Sequence, residues 1–404
     1  YNWKNIMKFN STEEQYEYLA SVESFIRRQR ADEYRMRSRK IQIINDAIHK
    51  TRKAVISIGC SFTEGEAAFD QETLDVLRPM GGDYSNFDYN CKGHDLQELM
   101  DFSMQFDLHF QIMDQGRVDQ WNKSENNISV NSRPLEINNA FVNKFCEHLD
   151  NGYVPINAGH AGNGNMAAIN RLFTYPIDWD MCDEIIVLWC YSDEHRFDIV
   201  KDTNIDHSEM GHDHDTMWPK YEAYDPDIEK FHQGADWHNA QYYITQTAWS
   251  DAFAHMNYIT SGSKLATWCK AYGAKLLTFA AFHPVNKQTM ENEFCMNKIF
   301  RDSNRRREER EFSPFSIEYI QHNYKALNRF PWESMCEPGG KSSFFQYAYS
   351  QEETYDPNVD MYKLIHDNGG TPNDWIFPCG HPSAKGHDLL AKWLITEAQD
   401  RGFV

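Results

Sequence analysis

Val55-Ile56-Ser57-Ile58-Gly59-Cys60-Ser61-Phe62-Thr63-Glu64-Gly65 decides the fold. An apolar run of strand character leads straight into Gly-x-Ser-x-Thr-x-Gly. Gly59 permits a tight turn, and a Ser just past a parallel strand stands at the strand's carboxyl end. Open α/β sheets bind their ligands there. The stretch is not the Gly-x-Ser-x-Gly elbow, because Thr63 holds the last position. Taken alone, it also fits an ordinary strand-to-helix turn capped by Ser61 or Thr63.

Working outward, three more apolar runs read as buried strands: Tyr153 to Asn157, Glu184 to Cys190, and Ala274 to Phe282. Helical patterns lie between and beyond them, over Asn138 to Leu149, Asn165 to Phe173, and Ser250 to Tyr272. Ala384 to Asp400 closes the chain, with Ser383 as N-cap and Leu389, Leu390, Trp393 and Leu394 as its apolar stripe. This alternation predicts an α/β fold of three layers, α/β/α, with a central parallel sheet of about five strands in flavodoxin-like order. Residues 1–50 read as a largely polar helical arm that packs on the main domain or on a protein partner, and residues 51–404 as the domain. Three stretches break the alternation, at about 66–134, 197–245 and 284–376. Insertions of this length are functional or carry small substructures of their own.

The formal net charge of -20 on 404 residues argues against nucleic acid as a general partner. No stretch approaches the ~18 to 20 continuous apolar residues of a membrane span, and Tyr1 onward shows no charged-then-apolar leader pattern. Localisation is therefore not readable, beyond a soluble chain. Nine cysteines without CxxC pairs read as free thiols, with Cys60, Cys182 and Cys190 beside strands. Asp206-His207 and His212-Asp213-His214-Asp215 are polar-loop residues more in keeping with a surface than with a metal site. No cofactor is expected. The run Asp302 to Glu311 reads as a solvated face of mixed charge.

Two further segments carry chemistry. Asn157-Ala158-Gly159-His160-Ala161-Gly162-Asn163-Gly164-Asn165 follows a strand and can present backbone N–H groups at a helix start, which suits an oxyanion. The glycine loop alone also admits a nucleotide-binding flavodoxin-like module. Cys379-Gly380-His381-Pro382-Ser383 sets a His in a rigid turn at the start of the last helix, a good general-base position. His387 falls in the first turn of that helix, where the macrodipole disfavours its charged form, so it is expected to pack or to hydrogen-bond locally.

In order along the chain, these segments resemble the SGNH (GDSL-type) hydrolases. Gly59-Cys60-Ser61 with Gly65 looks like the family's Gly-Asp-Ser block. Asn157 through Gly162 looks like its Asn-x-x-x-x-Gly block, and His381-Pro382-Ser383 like its last block. The resemblance implies a serine esterase or acyl hydrolase, and by analogy an O-acylated carbohydrate as substrate. It puts Ser61 as nucleophile, His381 as general base, and Ser61 N–H, Gly162 and Ser192 or Asn163 at the oxyanion. The chain departs from the pattern at three places. Cys60 replaces an Asp, Ser192 stands where an Asn is expected, and Pro378 holds the place of the acid three residues before the His. Asp374 is the nearest acid upstream, and without it Ser61 and His381 would form a dyad. Trp189, Ser192 and Arg196 are similar to a looser third block of SGNH-like bacteriophage proteins. The departures keep a second function open: a virion structural or adsorption protein that retains the fold with reduced or no activity.

Overall fold

The structure, a computed structural model, describes residues 41–65, 68, 88–90, 129–131, 139–149, 152–160, 164–192, 196–200, 214–217, 251–282, 325, 327–352, 356, 375 and 381–404. In chain order the elements are a helix over residues 41–51 (α1), β1 (Lys53–Gly59), α2 (Ser61–Glu64), β2 (Asp88–Asn90), β3 (Ser129–Asn131), α3 (Phe141–Leu149) and β4 (Val154–Gly159). They continue with α4 (Asn165–Thr174), β5 (Glu184–Tyr191), β6 (Phe197–Val200), β7 (His214–Met217), α5 (Asp251–Tyr272), β8 (Lys275–Ala280), α6 (Phe344–Tyr349) and α7 (Ala384–Asp400).

The four apolar runs form one parallel sheet in the order β4-β1-β5-β8. Counted as sheet strands along the chain, this is second, first, third, fourth. Ala54 to Ile58 therefore lies beside the run from Glu184 to Cys190, as the sequence predicts. Each strand turns alternate side chains to opposite faces. From β1 and β5, Ala54, Ile56, Ile58, Ile185, Val187 and Trp189 enter a core closed by α1, α4 and α5. Val55, Ile186, Leu188 and Cys190 enter the other core, closed by α3, α6 and α7. Both faces are covered, which is why these strands read as continuous apolar runs.

Four strands rather than about five make up the sheet among the described residues. Beyond β8 there is a single parallel bridge, Thr278 to Met335, with Cys336 N–H donating to Thr278 O at 2.8 Å. A 3-10 turn at Trp332–Ser334 and another starting at Pro338 bound that segment, and so short a piece covers the edge without extending it. Ile41, Ile44 and Ile48 of α1 are buried in the sheet's core, so the end of the N-terminal arm packs against the domain. Two of the long stretches hold antiparallel ribbons of their own, β2 with β3 and β6 with β7. His214 and Asp215 fall in β7, whereas Asp206, His207, His212, Asp213 and the charge run at 302–311 lie outside the described residues. Cys60, Cys146, Cys182, Cys190, Cys269 and Cys336 are free.

Candidate active site

β1 and β5 are adjacent, and the chain leaves them at the same edge of the sheet. The turn after β1 is tightly built. A Cβ on Gly59 would come within 2.2 Å of Thr63 Oγ1 and 2.4 Å of Cys190 O. One on Gly159, at the end of β4, would meet Glu64 N at 2.3 Å and Thr63 C at 2.6 Å. Both glycines are thus fixed by the close approach of α2 to the strand ends. Asn157 locks the approach: its Nδ2 donates to Glu64 O at 3.1 Å and its Oδ1 accepts from Gly159 N–H at 3.0 Å.

Ser61, the first residue of α2, is 6% exposed. His381 reaches it from the other end of the sequence, with Nε2 2.7 Å from Ser61 Oγ. With Nε2 unprotonated, the hydroxyl donates and the imidazole is placed to take its proton. Two features hold His381. Ser383 caps α7, its hydroxyl accepting from Gly386 N–H at 3.3 Å, and Ser383 N–H donates to Trp375 O at 2.8 Å. The ring of Phe62 packs on the imidazole at a centroid separation of 5.0 Å.

His387 has a different environment. It is fully buried, stacked on Phe141 at 5.9 Å and 8°, and its Nδ1 accepts Phe141 N–H at 3.1 Å. Burial, with the nearby charge of His381 adding to it, pushes this imidazole down to about 3. It packs as expected, but its side-chain hydrogen bond goes to a distant segment rather than to its own turn.

Ser192 follows β5 and is buried. Asn165, at the start of α4, clamps it: Nδ2 donates to Ser192 O at 3.1 Å and Oδ1 accepts Ser192 N–H at 2.9 Å. The Ser192 hydroxyl also faces Asn165 Oδ1, at a long 3.4 Å, so serving an oxyanion would require it to leave that weak contact. Arg196 sits over the ring of Phe282 at 5.4 Å, and Phe282 packs edge-on against Phe62 at 4.4 Å. Its guanidinium is therefore linked through Phe282 to the ring that touches His381. Arg171 Nη1 donates to Ala158 O at 2.8 Å and ties α4 to the end of β4.

On the β4 side of Ser61, the buried Glu64 carboxylate lies 3.9 Å from His160 Nδ1. Gly162, Asn163 and Asp374 lie outside the described residues. Asn165, Phe62 and Glu64 belong to the site's surroundings, yet sequence reasoning gave them no role. A polar residue opening a helix directly after a glycine loop is the one signal that pointed to Asn165. Comparison of the chain with protein-family models, curated proteins and solved structures finds no match.

Proposed function

We propose that this chain is a serine ester or acyl hydrolase of SGNH type, with Ser61 as nucleophile and His381 as general base. The 2.7 Å approach of His381 Nε2 to Ser61 Oγ carries this reading. Two side chains 320 residues apart meet at the carboxyl end of the first strand, in the arrangement that nucleophilic catalysis needs. Ser61 Oγ attacks the acyl carbon as its proton passes to His381 Nε2. The imidazolium then gives that proton to the leaving alkoxide, and an acyl-enzyme remains. Water, deprotonated by the same imidazole, attacks that ester, and Ser61 regains its proton as the acid departs. Ser61 N–H, Gly162 and Asn163 or Ser192 face the oxyanion in this scheme, and Asp374 orients His381. An O-acylated carbohydrate is the substrate class we propose, by analogy with the family.

Turnover of a short-chain aryl ester at roughly pH 6 to 9, the range in which a His base titrates, tests the reading. Activity in the wild type and none in a folded Ser61→Ala variant is expected. Equal activity in both proteins refutes it.

The low exposure of Ser61, with Cys60 and Pro378 at the family's acidic positions, favours a second reading. It is a virion structural or adsorption protein that keeps this fold with reduced or no activity, its N-terminal arm engaging protein partners. Absence of turnover in the wild type selects it.

A further inference from the structure

In a Ser-His-acid triad, the acid fixes the orientation of the imidazole and stabilises the imidazolium. Here a phenyl ring contacts that imidazole, and it belongs to the residue next to the nucleophile. Phe62 is 1% exposed, and its ring is held on other sides by Phe282 at 4.4 Å and Phe344 at 5.9 Å, both edge-on. It therefore cannot turn away from His381 without disturbing the core beneath α6. A cation within about 6 Å of a ring centroid is drawn to the ring's quadrupole, and the His381 ring is 5.0 Å away. The Arg196 guanidinium lies over the Phe282 ring at 5.4 Å. The series Arg196, Phe282, Phe62, His381 is thus a chain of edge-on and tilted ring contacts that runs from the loop after β5 to His381.

We propose that Phe62 is a positioning residue for His381, fixing its imidazole against Ser61 and stabilising the imidazolium by a cation–π contact. This rests on the assignment of Ser61 and His381 as nucleophile and base. A Phe directly after the nucleophile is then held in place by the same short helix that presents Ser61, so one turn sets both partners of the proton transfer. Among the described residues, the other charged or titratable groups near this cluster are His387 on α7, the Glu64 and His160 pair beside Ser61, and Arg196 on Phe282; Asp374, outside them, is the acid assigned above to orient His381. None of them is altered by a change confined to the Phe62 ring.

The experiment is the NMR titration of His381 in the substrate-free protein, its signal assigned by loss in His381→Asn. It is compared among wild type, Phe62→Tyr, Phe62→Leu and protein carrying pentafluorophenylalanine at position 62. The fluorinated ring keeps the shape of Phe but reverses its quadrupole, so it serves where Leu disturbs the fold. The proposal expects the midpoint to fall by about half a pH unit in Phe62→Leu and further with the fluorinated ring, and to be restored in Phe62→Tyr. The acid limb of kcat/KM should move with it. A midpoint unchanged by the fluorinated ring overturns the proposal. Because the midpoint is read without substrate, absence of ester turnover would sink the hydrolase reading separately from this one.

Discussion

His381 and His387 stand on either side of the same helix start, and their surroundings give them opposite capacities. His381 is partly exposed, and its Nε2 lies 2.7 Å from a serine hydroxyl. His387 is sealed between Phe141 and Phe344 and accepts a backbone N–H, so it stays neutral across the physiological range. The residue type is the same, and burial makes the difference. Transfer of a charged imidazole out of water is costly, and His387 is the one of the two that lies wholly out of water.

The largest expected effects separate the two residues kinetically. His381→Ala should lower ester turnover about as far as Ser61→Ala, by roughly 10³-fold or more, because nucleophile and base act as a unit. The double variant should be no slower than either single one. His387→Asn, whose Oδ1 can replace Nδ1 as acceptor for Phe141 N–H, should retain most of the turnover. A double-variant rate far below both single rates would break the assignment of His381 as base.

Asp374→Asn sharpens the comparison by asking what else His381 has that His387 lacks. If Asp374 orients the imidazole, kcat/KM should fall by orders of magnitude, up to about 10⁴-fold as in a triad that loses its carboxylate, with a shifted acid limb in the pH–rate profile. An unchanged rate would make Ser61 and His381 a dyad.

The smallest effect concerns stability. The folded-state pKa of His387, about 3, lies below the ordinary value of 6.5. Between these two values the unfolded chain binds a proton that the folded chain does not. Stability is therefore lost as pH falls from 6.5 toward 3, at no more than about 1.4 kcal/mol per pH unit from this group. His387→Asn should remove that slope, at a cost of about 1 to 2 kcal/mol at pH 7 for the space left beside Phe141. Urea unfolding at pH 7 and pH 5 reads both quantities, and an unaltered slope would mean that His387 is not the buried titrating group.

Much of this was legible in the sequence, for reasons that differ by region. The strands were readable because a sheet covered on both faces demands unbroken apolar runs, as in Glu184 to Cys190. The Ser383 cap was readable because its hydrogen bond is local. The pairing of Ser61 with His381 came from motif order, since no local pattern reports a contact across most of the chain. The Asn165 clamp on Ser192, the contacts from Arg196 through Phe282 to Phe62, and the bond from Phe141 to His387 were not legible. Each depends on which strand lies beside which, and that is decided by packing rather than by residue spacing. The place beyond β8 failed for the same reason: Met335 reaches it from a turn whose composition does not read as a strand.

Labelling with a fluorophosphonate probe tests the central claim most directly. Ser61 Oγ would attack phosphorus and expel fluoride, leaving a stable adduct that peptide mapping locates. One adduct is expected, on Ser61, at roughly pH 6 to 9, lost in His381→Ala and retained in His387→Asn. No adduct in the wild type, or an adduct on another residue, would contradict it.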